Sequence, residues 1–177
     1  TAYIADEEVA EEHVRLKGAL REALREIEDM RDVVQERFGP EFAAVFHAQI
    51  QILEDKGFLL NATQAIERLG DARSALAEVL ETYRETFDRI EDPYLRERGT
   101  DIADVGQRVM ERLLGVRNQL EPMKRGSVVV VDQLLPAIFA QLEMDKVAAI
   151  VAEHGGQTSH GVIFARTLEI PAVTGAT

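Results

Sequence analysis

The chain has 177 residues, 46% hydrophobic but only 6% aromatic and without tryptophan, so it can bury a core and that core is aliphatic. It has no cysteine, which excludes disulfides, zinc–thiolate sites and cysteine nucleophiles. A formal net charge of −12 argues against nucleic acid as a partner; it suits a basic protein partner or an acidic helical surface kept in solution. The start, T-A-Y-I-A-D-E-E, has no basic region followed by an apolar run, and no apolar stretch is long enough to span a bilayer. The expectation is a cytoplasmic protein without membrane insertion.

From Asp6 to Gly115 the pattern is helical. Val9, Leu16, Leu20, Leu24, Ile27 and Val34 recur at three- and four-residue steps, with His13 on the same stripe, and Gly39-Pro40 ends this first helix. If continuous it runs about 33 residues and about 50 Å. A second helix carries Phe42, Phe46, Ile50 and Leu53 and stops near Gly57. A third is announced by Asn61 with Gln64 three residues on, a capping box, and its stripe runs Ile66, Leu69, Leu76, Leu80, Tyr83, Phe87, Ile90. The fourth opens at Asp92-Pro93, carries Leu95, Ile102, Val105, Val109 and Leu113, and stops at Gly115. Long amphipathic helices with short connections predict an antiparallel bundle.

After Val116 the period changes. Val128–Val131 predicts a buried strand, Pro136–Leu142 a short helix, Val147–Val151 a second strand, Ser159–Leu168 a helix and Pro171–Val173 a short strand. This alternation predicts a small α/β unit with parallel pairing.

Between the second strand and the last helix stands H-G-G-Q-T-S-H-G-V-I-F-A-R, His154 to Arg166. A glycine-rich turn from strand into helix gathers backbone N–H groups at a helix N-terminus, where they and the helix dipole favour a phosphate-sized anion. Gly155 and Gly156 let an anion approach closely, and Thr158 and Ser159 supply hydroxyls that cap a helix or bond a phosphate oxygen. A phosphate-binding loop of the common kind ends in lysine; here His160 fills the position, and a neutral imidazole can attack phosphorus and carry the phosphoryl group covalently. A plain structural turn with a capping hydroxyl is the other reading of the same residues. His154 and His160 match no zinc-site spacing, so no metal is expected.

The stretch G-G-Q-T-S-H-G-V-I-F-A-R-T-L-E-I-P-A-V-T-G, Gly155 to Gly175, resembles the active-site signature of the phosphoenolpyruvate-utilising enzymes, in which G-G-x-T-S-H is followed by A-R and I-P-A-V-x-G. Within that family, I-Q-I-L-E-D (50–55) and D-P-Y-L-R-E-R-G-T-D-I-A-D-V-G-Q-R (92–108) resemble the N-terminal region of enzyme I of the phosphotransferase system. The resemblance implies an α+β, multidomain and mostly helical fold: an antiparallel four-helix bundle (5–116) inserted in a small α/β phosphohistidine (swivelling) domain (117–177 with 1–4).

It further implies a phosphoenolpyruvate-protein phosphotransferase, a transferase of the kinase class serving sugar transport. Its phosphorylated histidine falls on His160 and its supporting threonine on Thr158. Gly155, Gly156, Ser159 and Arg166 match signature positions around the phosphate, Arg166 either touching it or anchoring the helix. An HPr-like phosphocarrier is expected to dock on a bundle face that includes Ile52, Tyr94, Leu95 and Arg98, although Tyr94 and Arg98 equally suit bundle packing or a surface salt bridge. His47 and Gln49 depart from the family's residues, which leaves the carrier open. Phosphoenolpyruvate and Mg²⁺ are expected on a barrel that follows this region in the family, with no cofactor in this stretch, and the piece is expected to be a monomer. The alternatives are a nitrogen-related or multi-domain phosphotransferase fusion with another carrier, and a non-catalytic docking module.

Overall fold

A computed structural model describes residues 6–117, 120–156 and 159–176, without the side chains of residues 94 and 97. The elements in chain order are α1 (Asp6–Phe38), α2 (Pro40–Leu53), α3 (Lys56–Leu69), α4 (Ala72–Asp88), α5 (Pro93–Leu113), β1 (Ser127–Gln133), α6 (Pro136–Gln141), β2 (Val147–His154), α7 (His160–Thr167) and β3 (Ala172–Thr174). They form two compact units: the chain up to Asp29 with Phe46–Arg117, and Met30–Val45 with Asn118–Thr177. Residues 30–45 thus group with the α/β half, although periodicity alone assigns them to the bundle. The expected contribution of residues 1–4 to the α/β half lies outside the described residues.

In the helical unit, α1 opens with Asp6, Glu7 and Glu8 at the positive end of its dipole and buries Leu16, Ala19, Leu20, Ala23 and Ile27. Glu12 on α1 accepts the N–H of Ala72 at 2.8 Å, and Glu26 pairs with Arg108 at 3.1 Å and Arg112 at 3.4 Å on α5. The single third helix read from periodicity is two helices. Gly70 takes a left-handed φ of 73°, which an L side chain resists, and closes α3 on the carbonyl of Ile66 at 2.7 Å; Asp71 then caps α4 by accepting from Ser74 N–H at 2.8 Å. The half therefore holds five helices where four are predicted. Nor does α3 start at Asn61: Asp55 caps it, accepting from Phe58 N–H at 2.8 Å, so Asn61, Gln64 and Gly57 all fall inside the helix. α5 runs as expected, its Asp92 carboxylate accepting from Leu95 N–H at 3.2 Å, and Ile102, Val105, Val109 and Leu113 are buried.

In the α/β unit the strands lie in the order β1-β2-β3, all parallel, with Val129 beside Ile150 and Val151 beside Val173. Val129, Ile150 and Ala152 face a core completed by Leu134, Phe139, Leu142 and Phe164. Phe42 meets Phe164 edge-on at 4.6 Å, and Arg37 donates to the carbonyl of Leu142 at 2.8 Å; these contacts bring residues 30–45 into this unit. The four-valine run is not buried on both faces. Val129 is covered, but Val128 and Val130 are 54% and 73% exposed, because only one side of this three-stranded sheet is covered within the unit.

Candidate functional site

β2 delivers the chain to the glycine turn at the carboxyl end of a parallel strand, and α7 carries it away. Gly155 has a φ of 149°, a value most side chains avoid, and its neighbour's carbonyl, that of Gly156, accepts from Ser159 N–H at 3.0 Å. Ser159 is the N-cap of α7: its hydroxyl accepts from Val162 N–H at 3.4 Å and its carbonyl accepts from Ile163 N–H at 3.0 Å. His160 is the first residue of the helix and is half-buried. Gly155, Gly156, Ser159 and His160 are thus brought together at the N-terminal, positive end of the α7 dipole. Helix N-termini in general favour anions, and His160 is the residue that opens this one.

Thr158 lies outside the described residues. Arg166 is exposed in the last turn of α7, six residues and about 9 Å along the axis from His160, where its charge complements the helix C-terminus.

At the strand ends beside the turn, His154 Nδ1 lies 3.0 Å from Asp132 Oδ1. Donor atoms of Asp132, Glu153 and His154 all fall within 4.8 Å of one another, all three residues being exposed. Sequence reading misses this group because Asp132 and His154 are 22 positions apart and only the β1–β2 pairing brings them together.

The residues expected to dock a carrier lie in the helical unit. Ile52 from α2 and Arg98 from α5 line one cavity of about 300 Å³ together with Asp55, Phe58, Tyr83 and Ile102. Leu95 stands one turn before Arg98 on the same helix and is 44% exposed. The side chain of Tyr94 lies outside the described residues. Of the two departing positions, His47 is exposed whereas Gln49 is buried at 6% exposure. A larger groove, about 400 Å³ between α4 and α5, carries none of the residues expected to dock a carrier.

One titrating group on α5 also escapes sequence reading. Burial and the neighbouring Asp101 carboxylate push Asp104 up to about 7, against the opposing pull of Arg108. Among the described residues, no helix is long and apolar enough to cross a membrane.

The chain matches two family models, "PEP-utilising enzyme, N-terminal" over residues 1–98 and "PEP-utilising enzyme, mobile domain" over residues 123–177. It is 32% identical over 170 residues to a phosphoenolpyruvate-protein phosphotransferase of Mycoplasma capricolum, covering 95% of this chain and 30% of that protein. A protein of the same name from Lactococcus lactis is 38% identical over 178 residues, covering 99% and 31%. This chain therefore spans about 30% of the length of the curated relatives it matches. Among solved structures it resembles a solution structure of an Enzyme I, with a TM-score of 0.83 and 33% identity over 98% of this chain and 71% of that one. It also resembles the N-terminal domain of an Enzyme 1 – Nitrogen, with a TM-score of 0.68 and 29% identity over 95% and 69%.

Proposed function

The chain belongs to the PEP-utilising enzyme family, matching its N-terminal and mobile-domain models, and from that membership we propose that it is part of a phosphoenolpyruvate-protein phosphotransferase whose His160 carries the phosphoryl group. The observation that carries this reading is the position of His160, first in α7, directly after the glycine turn and the Ser159 cap. In the transfer, the lone pair of an unprotonated ring nitrogen of His160 attacks phosphorus. The N–P bond to the donor histidine of a carrier breaks as the new N–P bond forms, and the carrier nitrogen regains its electron pair. With phosphoenolpyruvate as donor, the O–P bond breaks instead and the enolate left behind takes a proton to become pyruvate. Neither transfer needs covalent help beyond the imidazole; the protein aligns donor and acceptor and stabilises charge on the phosphoryl oxygens through the amides at the turn.

Phosphoenolpyruvate and its Mg²⁺ belong, on this reading, to the part of the longer relatives that the 177 residues do not span, and no residue here is assigned to either. An HPr-type carrier docks on the helical unit around the cavity lined by Ile52 and Arg98, with the exposed Leu95 one turn before Arg98 on the same helix; the shared cavity supports this assignment. The greater likeness to the Enzyme I structure than to the nitrogen relative favours the sugar-linked branch over the nitrogen-linked one.

The test is labelling of the 177-residue chain with a ³²P-phosphorylated HPr-type carrier and, separately, with ³²P-phosphoenolpyruvate. The carrier is expected to label it with an acid-labile, alkali-stable phosphate that His160→Ala abolishes, and phosphoenolpyruvate alone is expected to leave no label. Label that survives in His160→Ala contradicts the assignment of the histidine.

A further inference from the structure

Gly161 follows His160 in α7 and is buried. A Cβ built on it would lie 1.8 Å from the carbonyl oxygen of Leu134 and 2.6 Å from the carbonyl carbon, whereas real Cβ atoms essentially never come within 3.0 Å of such neighbours. Glycine is a poor helix former, so one inside an eight-residue helix calls for a packing reason, and this contact supplies it. The opposing surface is firmly held. Leu134 is 2% exposed, Leu135 N–H donates to the Gln133 carbonyl at 3.1 Å, and Pro136 opens α6 immediately after. Further along α7, Phe164 is wedged between Phe42 at 4.6 Å and Phe139 at 5.4 Å. The helix is therefore seated at two points, and the one beside His160 is a backbone contact that admits no side chain.

We propose that Gly161 is a positioning residue for phosphoryl transfer: by letting the first turn of α7 rest directly on the Leu134 carbonyl, it sets where the His160 imidazole stands above the glycine turn. The inference rests on the reading of His160 as the phosphoryl acceptor. A methyl group at position 161 must move from 1.8 Å to at least 3.0 Å from that oxygen, a shift of more than 1 Å. Phe164 holds the later turn, so the displacement falls on the first turn and on His160. A misplacement of about 1 Å at a reacting group is enough for a loss of about 100-fold in rate.

The test uses the 177-residue chain and its Gly161→Ala, Leu134→Ala and His160→Ala variants. Transfer from a phosphorylated HPr-type carrier is followed against carrier concentration at a temperature where circular dichroism shows each variant folded, and the ring protons of the four histidines are recorded by NMR. Gly161→Ala is expected to lower the maximal rate about 100-fold while the half-saturating carrier concentration stays unchanged, because the docking residues lie in the other unit. Its His160 ring resonances move while those of His13 and His47 hold. Leu134→Ala keeps the carbonyl but loosens its support, and is expected to show the same signature at about 10-fold; it decides the matter should Gly161→Ala fail to fold. A rate within twofold of the parent and unmoved His160 resonances in the folded variants overturn the inference. Label retained by His160→Ala defeats the parent reading instead, so the two failures are distinguishable.

Discussion

Asp104 on α5 shows what a single residue's surroundings do to it. Burial, and Asp101 one helical turn away, favour its protonated form and push it up to about 7. A carboxyl whose folded value lies above its unfolded value of 3.8 binds a proton more tightly in the native state. Its contribution to stability is fully present below the unfolded value and is lost as pH rises through about 7. Asp104→Asn, which keeps the shape and never ionises, should therefore match the parent near pH 4 and exceed it at pH 8. With water reaching this half-buried site, the gain at pH 8 should be about 2 kcal/mol. Urea denaturation at the two pH values checks it, and a variant no more stable than the parent at pH 8 contradicts the account. Nothing in the D-I-A-D stretch announces this behaviour, because the sequence shows two acids but not the depth at which the fold places them. The glycine turn is the opposite case. Gly155, Gly156, Ser159 and His160 are neighbours in the chain, so their joint geometry is local and legible.

Helices and strands divide along the same line. α1 and α5 end where their glycine, proline and aspartate signals place them, because the hydrogen bonds involved reach only a few residues. The Asn61–Gln64 pair fails as a helix start because Asp55 offers an equally local cap earlier in the chain, and residues 56–61 continue the helix without a break. The interruption at Gly70-Asp71 is just as local, yet the apolar stripe running from Ile66 to Leu76 hides it. Gly70→Ala puts a Cβ into a left-handed conformation and should cost about 1 kcal/mol, and Asp71→Ala should cost about 1 kcal/mol through the lost cap. Both are measurable as shifts of the urea midpoint with unchanged slope. The valine run of β1 misleads for a different reason. β-branched residues announce a strand, but how many faces are covered depends on which other elements pack there.

Taken whole, the molecule has a helical unit that holds the residues proposed to dock a carrier and an α/β unit that holds the histidine proposed to carry the phosphoryl group. The proposed docking surface predicts a separable phenotype. Ile52→Ala and Arg98→Ala should each raise the half-saturating carrier concentration about 10-fold and leave the maximal rate unchanged, since they touch binding and not His160. Steady-state transfer kinetics test this, and a fall in maximal rate with unchanged half-saturation argues against docking there. A chain of net charge −12 should also attract a basic carrier over long range, so association measured by stopped flow should slow about 10-fold between low and 0.5 M salt, a range (about tenfold in ionic strength) over which surface charges become screened.

By itself the sequence determined the features written in neighbouring residues: the helical first part, the parallel strand–helix alternation after it, and the glycine turn that puts His160 at the head of a helix. Backbone capping, apolar periodicity and turn chemistry all act within a few positions, so a reader of the chain can find them. Only the tertiary structure decided that residues 30–45 join the α/β unit, that Ile52 and Arg98 share a cavity, that Asp104 holds its proton to near neutrality and that Gly161 lies against the Leu134 carbonyl. Each of these depends on burial or on atoms brought together from separate elements, and packing, not residue type, sets those distances.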